Sequence, residues 1–557
     1  MTSNVWRWCA IAIALTALGT PAHAGGSVVV QLEDVRLNDP AIGSGDGFGS
    51  ALAVDGERVL IGAPNDQASG TARTGAAYVF LRSGTAWSLE ARLTAFDAIA
   101  DDLFGSSVTL DGNTAVVGAQ GDNTSSGADV GSLYVFVRSG TTWTFEAKLT
   151  ASDAAAGDQL GTAVALAGDT LVAGAAFDDD AGGLTGAAYV FTRVGTLWSE
   201  AAKLTASDAS GSSLFGMFVG YDGTTLVIGA PGTSNATGAA YVFTGAGSSW
   251  TERAKLEASD GALGDRFGRV ALSGGTIVVG ALEASMFAGA AYVFEGAGSA
   301  WSETAKLLAP DGAIGDRFGS STAIDGEVIV VGAQGHDAVD SSAGAAYVYR
   351  RTTGAFVFDR KLLATDLSSV NLLGAASAIS GGTIACGAPG PFAGSLPGSG
   401  YVFSVEAGVP SFCDGSDGAL ASCPCGNAGA SDTGCDLQQG TGGVRLDVVT
   451  QQTAPLNRAT LHATGFPVSS SPSAIVIRAP GLETAPVVFG DGLRCVSVPL
   501  VRLAATFAGG GNSTHTFGHG TMVGAGTFYY QVWFRNQPAM FCTPNAFNVS
   551  SGRELVW

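Results

Sequence analysis

Carboxylates are the residues of this chain best placed to do chemistry. Asp101, Asp102, Asp158, Asp265 and Asp316 each stand two or three positions before a recurring Phe-Gly or Leu-Gly step. A second set, Asp97, Asp153, Asp208, Asp260, Asp311 and Asp366, follows a recurring leucine by four positions. Oxygen donors repeated at one register could attract divalent cations or basic partners, and a pair of them could act as general acid and base. Nothing in their spacing sets one pair apart, so the first set reads as an acidic rim and not as a catalytic dyad. Ser213 and Asn371 take that place in two repeats, which makes the rim lopsided and any calcium binding weak. The second set reads as loop caps, since an Asp carboxylate readily accepts from nearby backbone amides.

Other reactive types are sparse. His336 is the single histidine of the repeat region, and it falls in a variable loop. His515 and His519 follow Gly509-Gly510-Gly511 in a β-rich stretch and read as loop residues, not metal ligands. Cys413, Cys423, Cys425, Cys435, Cys495 and Cys542 cluster towards the end of the sequence. The first four lack the two-to-four-residue knuckle of a zinc site and read as disulfide partners. Cys386 lies in a buried-type apolar run and reads as a small hydrophobe. No nucleophile elbow, phosphate loop or dinucleotide fingerprint is present in the right context.

The elements that must hold these residues are written as one sentence repeated seven times. Phe48, Phe104, Leu160, Phe215, Phe267, Phe318 and Leu373 each precede a Gly, and Tyr78, Tyr134, Tyr189, Tyr241, Tyr292, Tyr347 and Tyr401 follow in phase. Each unit holds four short β-type runs bounded by Gly or Ser. Self-similarity at ~50 residues with four strands per unit predicts an all-β chain with a seven-bladed β-propeller. The units end Trp-x5-Leu, or Phe356 to Leu362, with a cation just before the Leu; the seventh stops at Tyr401-Val402-Phe403 without this ending. Val35-Arg36-Leu37 supplies it, so residues 28–37 are expected to form the outer strand of the last blade. Lys148, Lys203, Lys255, Lys306 and Lys361, with Arg36 and Arg92, occupy this outer register, where Lys is expected to discourage edge-to-edge pairing.

The chain has 557 residues and a formal net charge of −21, which argues against nucleic acid and anionic membranes as partners. Arg7, the apolar run Cys9 to Leu18 and Ala22-His23-Ala24 read as a signal peptide over residues 1–24. The mature chain is then exported, with no membrane insertion of its own, and export favours disulfides. The repeats span residues 25–407 and a linker 408–412. Residues 413–557 read as a smaller disulfide-bonded, β-sandwich-like, Cys-rich domain.

Phe-Gly followed by Gly62-Ala63-Pro64, Gly229-Ala230-Pro231 or Gly387-Ala388-Pro389, and then by Gly-Ala-Ala-Tyr-Val-Phe, resembles the FG-GAP repeat. That repeat builds the seven-bladed propeller of integrin α-subunit heads and of secreted bacterial proteins, and the resemblance covers about residues 28–405. Integrin-type blades carry a calcium loop between their first two strands. Here that connection is a tight turn such as Asp55-Gly56 or Asp325-Gly326, which cannot wrap a calcium ion, so those sites are not carried over. Cys423-Pro424-Cys425-Gly426-Asn427 and the run from Phe489 to Cys495 resemble Cys-rich modules of other secreted bacterial repeat proteins. The resulting expectation is a non-enzymatic binding or adhesion protein. It would contact an extracellular protein or glycan through an acidic loop face and need no cofactor. A polysaccharide hydrolase or lyase and a structural envelope or matrix protein are the alternatives.

Overall fold

A computed structural model of the chain describes residues 30–38, 42–67, 73–84, 86–337, 342–366, 370–390 and 397–405, and the backbone of strands between 445 and 556. The predicted signal peptide, the linker 408–412 and the side chains of Cys413, Cys423, Cys425, Cys435, Cys495 and Cys542 lie outside the described residues. The repeats form a seven-bladed β-propeller of four-stranded antiparallel blades. In the fifth blade the strands are Phe267–Ser273, Thr276–Ala281, Ala290–Ala297 and Ala300–Leu307.

Burial explains the composition of each strand. The second strand packs against neighbours on both faces, so Thr276–Ala281 is buried throughout and reads as a continuous apolar run. The third is buried over its first five residues and then emerges at Glu295. The outermost, Ala300–Leu307, alternates and ends on buried Leu307, which is why polar residues interleave there. First and second strands are joined by two-residue turns: Asp55 pairs with Arg58 across Gly56 and Glu57, as the sequence predicts.

Neighbouring blades touch backbone to backbone, and this explains the recurring glycines. A Cβ on Gly118 of the second blade would lie 2.4 Å from the carbonyl oxygen of Gly161, the Gly after Leu160 in the third. The repeated Phe-Gly and Gly-Ala steps are therefore two halves of one contact, and only glycine leaves room for it.

Ring closure differs from expectation in one respect. Residues 28–37 do not form a single strand. Val35–Leu37 pairs antiparallel with Ser399–Ser404 and completes the seventh blade. Val30–Leu32 instead runs parallel to the outer strand of the sixth blade, matching Val30 to Lys361. The bend lies at Glu33 and Asp34, whose side chains stitch both blades: Glu33 accepts from the Thr365 amide (2.8 Å), and Asp34 from the Ser404 amide (2.5 Å). Glu33 thereby repeats Glu252 and Glu303, which accept from the Ser207 and Ser259 amides at the equivalent junctions, both at 2.9 Å.

Farther along, Arg445–Gln451 pairs with Arg458–Thr464, and Ser473–Ala479 with Thr527–Arg535, all antiparallel. Among the described residues, no helix is long and apolar enough to cross a membrane.

Candidate functional site

Second-to-third and fourth-to-first connections emerge on the same side of the disc, here called the loop face. The second set of aspartates, expected to cap loops, is bound up in a clasp between blades. Asp97, from the loop after the first blade, accepts from the Tyr134 hydroxyl (2.8 Å) and from the Lys148 ammonium (2.8 Å) of the second blade. The same constellation joins Asp153, Tyr189 and Lys203, then Asp208, Tyr241 and Lys255, then Asp260, Tyr292 and Lys306. Asp311, Tyr347 and Lys361 follow, and Asp366, Tyr401 and Arg36 close the series. The outer-strand cations are therefore not free edge charges. Each ammonium reaches back over its own blade's tyrosine ring, as Lys148 does at 5.0 Å from the Tyr134 centroid. Burial opposes ionisation of Asp97, but the Lys148 ammonium and Tyr134 hydroxyl outweigh it and hold the carboxyl below its usual range.

The expected rim does not form as a set of exposed charges. Asp102, Asp158, Asp265 and Asp316 are buried. Each turns its Oδ2 inward to accept from the backbone amide three residues earlier: Ile99 and Ala155 at 2.7 Å, Ala262 and Ala313 at 2.8 Å. These, and not the second set, are the loop caps. Asp46, two residues before Phe48, does the same for Gly43 (2.6 Å); its register made it legible, and the sequence reading passed it over. Of the five rim residues only Asp101 stays at the surface, paired with Arg73 at 3.2 Å. Asp102 is the most perturbed. Burial raises its pKa to about 6, against the Ile99 amide and with a smaller push from Asp122. Its Oδ1 is buried without a hydrogen-bond partner among the described residues.

His336 replaces, in the sixth blade, the aspartate found as Asp122 or Asp178 in earlier ones. It is buried, with Nδ1 2.8 Å from Asp316 Oδ2 and Nε2 against the Lys361 ammonium. Cys386 is buried and free, and burial pushes its thiol up to about 12. Among the described residues no group of three or more His, Cys, Asp or Glu side chains could hold a metal ion.

The apolar side chains that the loop face exposes were not read from the sequence. Leu263, Met286 and Ile314 are 75%, 71% and 71% exposed on its loops, with Phe96 and Phe287 also uncovered. Asp129, Asp179 and Asp337, on second-to-third loops, are exposed on the same face. A hollow of about 330 Å³ opens where the fifth and sixth blades meet, lined by Phe287, Ile314, Arg317, Gln334 and Leu372 among others.

The FG-GAP repeat model matches residues 33–80, 87–136, 143–191, 198–243, 250–294 and 301–349. No curated protein matches the chain. Among solved structures it is similar to the periplasmic gluconolactonase PpgL of Pseudomonas aeruginosa, with a TM-score of 0.38 and 14% identity over 56% of this chain and 85% of that one. It is also similar to Sqt1 from Chaetomium thermophilum, with a TM-score of 0.39 and 14% identity over 66% of this chain and 91% of that one. Six matched repeats, whose glycines meet at the blade junctions, make this chain a member of the FG-GAP repeat family.

Proposed function

We propose that this is an exported, non-enzymatic binding protein whose propeller meets a protein or glycan partner outside the cell through its loop face. In this reading residues 1–24 are removed on export. Residues 25–407 are the binding disc, and 413–557, after the linker 408–412, form a disulfide-bonded accessory domain.

One observation carries the reading. The buried carboxylates and the outer-strand cations are engaged in clasps and caps that build the scaffold, while large apolar side chains such as Leu263, Met286 and Ile314 stand exposed on the loop face. Several large apolar side chains exposed on loops of one face of a rigid scaffold suit an interaction surface. The contact is then apolar and mixed-charge, and not the acidic rim that the sequence suggested.

The test is cross-linking capture from the native cell surface with the full exported chain. A Leu263→Asp/Met286→Asp variant should lose the captured partner. Val194→Asp/Leu197→Asp, on exposed residues of the opposite face, should retain it. Equal capture by both variants contradicts the reading.

A further inference from the structure

In a chain of net charge −21, the fifth and sixth blades bring three arginines to the inner edge of the loop face. Arg266 is paired with Glu283 at 3.1 Å. Arg269, on the innermost strand, donates to the Ser320 carbonyl at 2.7 Å and lies 4.7 Å from the Phe218 ring centroid. Arg317 lies over the Phe287 ring, 5.9 Å from its centroid, and has no acidic partner among the described residues. The three feel one another. Burial depresses the Arg269 pKa to about 10, and Arg266 and Arg317 push the same way, with Glu283 opposing.

Arg317 is also held in place. Its amide and that of Gly315 both donate to the Phe287 carbonyl, at 2.8 and 3.2 Å, which fixes the Arg317 backbone beside the apolar wall of the hollow. Both side chains spring from left-handed backbone, φ 56° at Arg317 and 67° at Phe287, a conformation that non-glycine residues seldom adopt. The Arg317 conformation recurs at Leu103, Gln159, Leu214, Arg266 and Leu372, so the scaffold itself fixes where this residue stands.

We infer that Arg317 and the hollow beside it bind a carboxylate side chain flanked by apolar residues, presented by an extended segment of a partner protein. The inference rests on the loop-face reading and names the chemistry of its contact. A guanidinium uncommitted to any acid among the described residues, beside an aromatic wall, suits bidentate recognition of a single carboxylate. A polyanion such as nucleic acid is disfavoured by the charge of the whole chain. A free small acid would fill the hollow, yet leave the exposed Met286, next in the chain to Phe287, in water. A peptide covers both.

The test uses the full exported chain and three probes in calorimetry: acetyl-Leu-Asp-Phe-amide, its Asn counterpart, and phenylacetate. The Asp peptide should bind at least tenfold more tightly than the other two. Arg317→Gln should weaken the Asp peptide at least tenfold and erase its advantage over the Asn peptide. Ile314→Asp, a surface change that sets a like charge in the hollow, should weaken it similarly without disturbing the core. Absent binding of the Asp peptide, equal binding of Asp and Asn peptides, or full affinity in both variants overturns the site. Phenylacetate binding as tightly as the peptide overturns the peptide assignment. Should the Arg317 comparison fail while Leu263→Asp/Met286→Asp still loses the captured partner, this site falls and the loop-face reading stands.

Discussion

Gly387 of the seventh blade and Gly49 of the first meet so closely that a Cβ on Gly387 would lie 2.0 Å from the Gly49 carbonyl oxygen. This is the last turn of a contact that runs around the whole ring, and it is the one that closes it.

Gly387→Ala should therefore destabilise the propeller by about 2–3 kcal/mol, because the clash is with backbone and has no flexible side chain to yield. Gly84→Ala, at a turn with open space around it and φ 64°, carries only the backbone penalty of about 1 kcal/mol. Urea unfolding of both variants measures the difference, and equal midpoints contradict a tight closure contact.

The amino-terminal hook is the other half of closure. Leu37 is buried, so Leu37→Ala should cost about 2–5 kcal/mol. Deleting residues 25–37 should lower the melting temperature further and make the protein prone to associate, since the Ser399–Ser404 strand loses its neighbour. An unchanged melting temperature in the deletion would refute the hook.

Acid should act on stability in two opposite steps. Asp102, with a pKa raised to about 6 from 3.8, holds its proton in the folded chain where the unfolded chain has lost it. Stability from this group is present at low pH and is lost as pH rises from about 4 to 6; Asp46 and Asp158, also raised, have the same sign. The clasp carboxyls, Asp97, Asp153, Asp208, Asp260 and Asp311, are depressed, so their contribution holds above their unfolded pKa and falls away as pH drops through the folded values. Stability should thus peak between about pH 4 and 6. Asp102→Asn should add roughly 1 kcal/mol at pH 7 and flatten the neutral side of the peak. Urea midpoints across pH 3–8 check both limbs, and a midpoint that rises steadily to pH 8 would exclude the Asp102 assignment.

Thiol chemistry tests the cysteine reading. Cys386 should ignore a thiol reagent in the folded chain and react once on denaturation, because burial keeps its thiol protonated. If the six downstream cysteines are bridged, each bridge contributing ~2–4 kcal/mol, the denatured protein lacking residues 1–24 should titrate as one thiol. Counting several would exclude the bridges.

The propeller was legible because its signal is periodic. Tyr134 and its six equivalents recur in phase, and a buried strand cannot avoid showing its apolar run. The partners of those tyrosines were not legible. Asp97 and Tyr134 are 37 residues apart and belong to different blades, so only the rotation between blades reveals their bond. The roles of the two aspartate sets differ from expectation for the same reason: spacing says that Asp102 recurs, but not that its side chain turns inward to the Ile99 amide. The split at Glu33 was hidden because Val30–Leu32 satisfies the pattern of either blade. The hollow at Arg317 depends on side chains that vary from blade to blade, Phe287, Ile314, Arg317 and Leu372, on a backbone turn that every such junction shares, so the repeat does not announce it.

Closure by the hook also sets an order of events in the life of the chain. Asp34 bonds the Ser404 amide across 370 positions, so the segment made first is used last. While the ribosome adds the intervening blades, each can dock on its predecessor as it emerges, but the hook has no place to go. A chain cut short before the seventh blade leaves Val35–Leu37 without the strand it pairs with. The ring therefore carries its own check on completeness: only a chain made through Ser404 can close it.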